Sequence, residues 1–225
     1  EERVATAEEV EVGSEVDGDG NVGVVVATRH RVGADGGVAL TEDRPGILSS
    51  TGDILLQEAI DIGPNETYGE LSERLAWLGA QLLIRTLNGL EDGKVAPIPQ
   101  DEELATQARS LTRQDGAIDW SQSAEDIVNR IRGCTPKPGA FTRICESEVK
   151  VWRAVVASHE GKGGEPGEII SIDAEGIEVA AGTGSVRVLE VQPESRKRMS
   201  AADYARGGLK LCQKFDSAAA FVPSS

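Results

Sequence analysis

Apolar and polar positions change their period along this chain, and each change marks an element. Residues 22–28, VGVVVAT, are an apolar β-branched run and read as a buried strand. VAL at 38–40 reads as a second short strand, and Asp53 to Ile62 as a third, ended by GPN. From Tyr68 the spacing becomes helical. Tyr68, Leu71, Leu75, Leu78, Leu82 and Leu87 form a stripe that Leu83 and Leu90 widen. Thr67 and Glu70 have the spacing of a capping box, and Gly93 ends the region. A helix with one apolar face, following strands, packs most simply on a sheet.

Residues 94–118 contain two prolines and many polar side chains, and read as an extended connector with one helical turn. A short helix follows. Ser121 or Ser123 caps it, Glu125 and Asp126 suit its start, and Arg130 and Arg132 suit its end. Its apolar face is Ala124, Ile127, Val128 and Ile131, and TPKPGA breaks it. Beyond Phe141 the period falls to two in EVKVWRAVVAS, GEIISID, GIEVAAG and SVRVLEVQ, with DAEG and GTG as hairpin turns. A last short helix starts at Ser200 and stops at Gly207. The expected class is α/β plus β, with a small antiparallel OB-like barrel at the C-terminal side.

Composition narrows the partners. The 225 residues are 39% hydrophobic but only 4% aromatic, so the core is built from Val, Ile, Leu and Ala. No apolar run is long enough to span a membrane, and EERVATAEEVEVG lacks the basic start and apolar centre of a secretory signal. Cys134, Cys145 and Cys212 are too few and too irregular for a disulfide framework or a zinc site, which suits reduced thiols in a cytoplasmic protein and no metal. VDGDGNVG lacks the closing Glu of a calcium loop. The formal net charge is −15, yet from Pro136 onward twelve acids face twelve bases. A surface that acidic repels phosphates, so any nucleic-acid contact belongs to local basic patches in the charge-balanced part.

Several segments occur in an order that resembles one family. They are TGDIL, TYGELSERLAWLGAQLLIRTLNGLEDG, PQDEELATQA, IDWSQSAEDIVNRIR, PKPGAFT, VKVWRA, PGEIISI, GIEVAAGTGSVRVLEVQP and RKRMSAADYARG. Together, from about Gly52 to Lys210, they resemble the methionyl-tRNA formyltransferases. The resemblance implies an incomplete Rossmann-like catalytic-domain remnant over 1–93, a linker over 94–118, and a tRNA-binding β-barrel over 119–225. It implies 10-formyltetrahydrofolate as co-substrate, initiator methionyl-tRNA as partner, and a place in translation initiation. Formyl transfer needs a base or proton relay for the attacking amine and donors for the tetrahedral oxyanion. The family supplies an Asn, a His and an Asp.

The residues depart from that set. The family's catalytic Asp stands directly before TGD, where this chain has Ser50. A serine carries no charge with which to raise a histidine's pKa. Asp53 matches a second acid, either structural beside the site or a strand-start acid. His30, in TRHRVGA, does not match the family's histidine segment. No catalytic residue is therefore assigned, and this form is expected to lack transfer. Candidate tRNA contacts are Arg196, Lys197 and Arg198, at the family's basic run, with Lys150, Arg153 and Lys137. Each also reads as an ordinary solvated base, and strict strand alternation keeps Lys150 and Arg153 off one face. The alternatives are a non-catalytic tRNA- or RNA-binding module and a sugar-nucleotide formyltransferase fragment. A stripe lacking its full covering surface from Tyr68 to Leu90 predicts self-association or a partner.

Overall fold

The computed structural model describes residues 9–16, 22–29, 53–100, 109–144, 147–160, 163–207 and 214–217. Ser50, His30, Cys145, Cys212 and the strand expected at 38–40 lie outside them. The chain divides into two compact units, one of Glu1–Pro64 with Leu71–Ser110, the other of Asn65–Glu70 with Leu111–Ser225.

The first unit holds β1 (Glu9–Val16), β2 (Val22–Arg29), β3 (Ile54–Ile60) and most of α1 (Tyr68–Glu91). The three strands form one sheet in chain order, antiparallel throughout. A Rossmann-like remnant would pair strands in parallel, and no such pairing is found among the described residues. β1 ends at Val16 and β2 starts at Val22, too short a separation for a parallel crossover, which needs about a dozen residues or more. Strand β1 has no counterpart among the elements read from the sequence. Ile54 exchanges two 2.8 Å backbone hydrogen bonds with Ile98, which adds a bridge beside β3.

α1 starts as its capping box predicts. The Glu70 carboxylate accepts from the Thr67 N–H at 2.9 Å, and the Thr67 hydroxyl accepts from the Glu70 N–H at 3.3 Å. Leu82 is fully buried, with Leu56 of β3 and Leu75, Leu78 and Leu83 packed around it. The inner part of the expected stripe thus meets Leu56 of β3. Tyr68, Trp77, Ile84, Leu87 and Leu90 are exposed.

The second unit holds α2 (Ala124–Cys134), β4 (Ala140–Ile144), β5 (Ser147–Ser158), β6 (Ile169–Ile172), β7 (Ile177–Ala180), β8 (Ser185–Pro193), β9 (Met199–Ser200) and α3 (Ala201–Arg206). A 3-10 turn at Arg113–Gly116 precedes α2. Ser123 and Ser200 cap the two helices, each accepting from the N–H three residues on. The sheet runs β4-β5-β8-β7-β6, with β9 beside β8, and neighbours are antiparallel. DAEG and GTG join β6 to β7 and β7 to β8, as their composition predicts. Gly184 has a φ of +77°, and a Cβ there would sit 2.2 Å from the Ser158 carbonyl oxygen, so only glycine fits the second turn.

The closed OB-like barrel expected from the strand pattern is corrected to an open sheet among the described residues. β4 and β6, its two edges, do not pair with each other. Residues 214–216 reach both edges instead, through isolated bridges from Lys214 to Glu168 and from Asp216 to Arg143. Between them Phe215 is buried and stacks on Trp120 with ring centroids 5.7 Å apart. The Trp120 indole N–H donates to the Thr142 hydroxyl at 3.0 Å, and that hydroxyl donates to the Asp216 carbonyl at 3.0 Å. The open side is held by one short segment and an aromatic pair in place of strand pairing. The apolar face of α2 packs on the sheet, where Ile127 and Ile131 join Val149, Val151, Val186 and Val188 in one core.

Candidate nucleic-acid interface

The basic candidates gather where two neighbouring strands fall out of register. On β5 and β8 the pairing runs Val151 to Val191, then Arg153 to Glu190, then Ala154 to Val188. Trp152 and Leu189 are therefore left without cross-strand partners. A bulge of this kind bends the strand and re-aims side chains. It also resets the alternation: Val151 and Ala154 are buried, while Lys150 and Arg153 are both exposed. The separation of those two bases predicted by strict alternation is thereby corrected.

Around the bulge the side chains interlock. The Trp152 indole N–H donates to the Gln192 side-chain oxygen at 3.1 Å, and the Gln192 amide donates to the Arg196 carbonyl at 3.1 Å. Lys150 pairs in register with that same Gln192. The Arg198 guanidinium lies 4.8 Å from the centre of the Trp152 ring and pairs with Glu190. Arg153 pairs with Glu70 at 3.2 Å, with both side chains about half exposed. The Glu70 carboxyl is held below its ordinary value, first by its bonds to Thr67 and then by Arg153 and Arg198. Exposed pairs of this kind are screened by solvent, so a phosphate can displace the carboxylate from Arg153 or Arg198. Lys150, Arg196 and Lys197 are exposed and make no ion pair among the described residues.

Lys137 stands apart. It is exposed on the 135–138 turn after α2, and no hydrogen bond or ion pair ties it to the cluster. Asp53 is half-buried directly before β3, and Ser50 lies outside the described residues. Among the described residues no group of His, Cys, Asp and Glu is arranged to hold a metal, and no helix is long and apolar enough to cross a membrane.

Beside the bulge lies a cavity of about 220 Å³ whose walls include Trp152, Arg153, Arg132, Leu189, Ala154 and Thr67. Arg132 is fixed there by donating from Nε to the Glu66 carbonyl at 2.9 Å and from a terminal nitrogen to Asn129 at 2.9 Å. The sequence marks Arg132 only as a helix-end base, and Trp152 only as part of a strand. The one local signal is that Trp152 is the sole aromatic residue of β5. A wider, open cleft of about 620 Å³ on another part of this unit is lined by Asp115, Asp126, Asn129, Arg130 and Cys134, with the buried thiol pushed up by desolvation.

Comparisons with known proteins agree with the arrangement of the second unit. Residues 110–209 match the formyl transferase C-terminal domain. The chain is 43% identical over 157 residues to the methionyl-tRNA formyltransferase of Citrifermentans bemidjiense, covering 70% of this chain and 48% of that one. Against the methionyl-tRNA formyltransferase of Solibacter usitatus it is 45% identical over 159 residues, covering 70% and 50%. The chain thus spans about half the length of the curated relatives it matches. Among solved structures, HypX from Aquifex aeolicus in complex with tetrahydrofolic acid superposes with a TM-score of 0.57 at 16% identity, over 82% of this chain and 30% of that one. An N-formyltransferase from Helicobacter canadensis, in complex with folinic acid and dTDP-3-aminofucose, gives 0.51 at 16%, over 77% and 56%. At that identity these two speak for the fold alone. Residues 110–209 thus carry the sequence of a formyl transferase C-terminal domain, within a stretch of the chain that is similar to methionyl-tRNA formyltransferases.

Proposed function

We propose that the second unit is the tRNA-holding part of a methionyl-tRNA formyltransferase, and that this chain binds initiator methionyl-tRNA without transferring a formyl group. The observation that carries the binding half is the bulge, which exposes Lys150 and Arg153 beside the run Arg196, Lys197 and Arg198. Lys137 adds a more distant phosphate contact in this reading. A chain of net charge −15 has no general affinity for phosphates, so its binding rests on this local patch. The similarity to methionyl-tRNA formyltransferases supports initiator methionyl-tRNA as the partner, and the family resemblance supports 10-formyltetrahydrofolate as the formyl donor in the complete reaction. A role in translation fits a cytoplasmic protein.

The inactive half rests on Ser50, which stands where the family resemblance requires an Asp. A neutral hydroxyl at that place does not stabilise a charged imidazole. The test is a formylation assay with charged initiator tRNA and 10-formyltetrahydrofolate, run beside filter binding at several salt concentrations. Binding that weakens with salt, and whose salt slope drops by about 0.7–0.9 for each base removed among Arg196, Lys197 and Arg198, is expected. Formyl transfer by the purified chain overturns the inactive half. Binding unmoved by those three substitutions overturns the patch.

The exposed side of α1, with Trp77 and Ile84, supports self-association as well. Sedimentation at rising concentration is expected to show a mass increase that Trp77→Lys removes. An unchanged mass sinks this reading.

A further inference from the structure

We propose that the cavity beside the β5–β8 bulge receives a single unpaired nucleotide, with its base against Trp152 and its phosphate on Arg153. This rests on the reading of the second unit as an RNA-contacting one. The observation behind it is that both residues expelled from the cross-strand register, Trp152 and Leu189, line the same cavity. The bulge does more than expose two bases; it builds an apolar wall beside them.

Size and chemistry select the occupant. The cavity is about 220 Å³, below the roughly 300 Å³ at which pockets begin to enclose whole small molecules. That volume suits one flat ring and excludes a duplex. Its walls carry two guanidinium groups, Arg132 and Arg153, and no carboxylate, in a protein whose net charge is −15. The larger cleft is lined by Asp115 and Asp126 and repels the same ligand.

The stacking partner is already fixed. The Trp152 N–H is satisfied by Gln192, which fixes the ring's orientation, and the residue lines the cavity. Arg198 lies over that ring and is not among the residues that line the cavity. Stacking on an aromatic face is tolerant of base identity, so the site reads the unpaired state and not the sequence. Arg153 holds Glu70 at 3.2 Å across an exposed pair, a contact that a phosphate replaces at little cost.

The test uses the full chain and two probes, an RNA duplex with one unpaired nucleotide at mid-length and the same duplex without it. Tighter binding of the bulged duplex by about tenfold is expected, and Trp152→Ala should remove that preference. Trp152→Phe keeps a ring and should retain most of it. Asn65→Glu puts a carboxylate at an exposed wall position, away from the packed core, and should lower the preference with the fold intact. Arg196→Ala with Lys197→Ala should weaken both duplexes equally. Binding of both duplexes with equal affinity overturns the nucleotide site and leaves the tRNA reading standing. Failure to bind tRNA or either duplex overturns both.

Discussion

The two units bury their apolar residues in different ways. In the second, a helix of eleven residues puts five of them, Ala124, Ile127, Val128, Ile131 and Cys134, into one core shared with five strands and α3. In the first, a helix of 24 residues buries Gly79, Leu82 and Thr86, and among these only Leu82 is a large apolar side chain. Trp77 on that helix is 70% exposed. Helix stability in proteins comes mostly from packing of an amphipathic face rather than from propensity. α2 is short yet anchored all along its inner side, whereas α1 is long and anchored about one residue. The difference teaches that an amphipathic pattern specifies which face seeks cover and says nothing of how much cover the fold provides.

The strongest way to break the comparison is to unfold the units separately. Trp120 is fully buried in the second unit and, once the exposed Trp77 of α1 is replaced by Phe, reports that unit's unfolding by fluorescence, while α1 gives the larger part of the helical far-ultraviolet circular dichroism. In denaturant the dichroism is expected to fall first. Ile127→Ala removes a fully buried side chain from the centre of the core and should cost about 2–5 kcal/mol, read mainly as a shift of the fluorescence transition. Leu82→Ala should cost the lower part of that range, because Leu75, Leu78 and Leu83 are partly exposed and free to close around the gap, and should shift the dichroism alone. Coincident transitions in the unaltered protein would show that the units unfold as one and that the contrast has no energetic meaning.

What was legible in the sequence follows the same division between local and distant causes. The Thr67–Glu70 box, the Ser123 and Ser200 caps, and the DAEG and GTG turns are decided within a few residues, and each is where its chemistry predicts. The edge-joining segment Lys214–Asp216 was not legible, because its bridges go to Glu168 and Arg143, far away along the chain. The same holds for the bulge at Trp152. It arises from the pairing of two strands whose sequences each look regular alone, and so the expected separation of Lys150 from Arg153 did not survive. Strand β1 was missed for another reason: EVEVGSEV alternates with period two, but its glutamates make it look like an acidic tail. For the interface, the charged members were visible as charges. The cavity was not, because Trp152, Leu189 and Arg132 come together only through register and packing.

The smallest expected effect sharpens the comparison from the side of electrostatics, within the DAEG turn of the second unit. Asp173 accepts from the N–H groups of Glu175 at 2.8 Å and Gly176 at 3.1 Å, and from Arg187 at 2.5 Å. Arg187 also reaches the buried Glu178 at 3.4 Å, which accepts from the Ser185 hydroxyl at 2.7 Å. The Asp173 carboxyl is held below its ordinary value, first by Arg187 and then by the turn's N–H groups. A depressed carboxyl pKa stabilises the fold above the unfolded-state value of about 3.9, and that stabilisation is lost as pH falls through the lower folded-state value. Asp173→Asn keeps a side-chain oxygen for the turn and removes the charge. The melting temperature of the fluorescence transition is therefore expected to be higher in the unaltered protein at neutral pH. The gap should begin to close below about pH 4 and vanish only below the depressed folded-state value, with the dichroism of α1 moving equally in both. A gap that persists unchanged into acid would mean that the asparagine disturbs the turn itself, and that the charge on Asp173 contributes nothing to the stability of the hairpin.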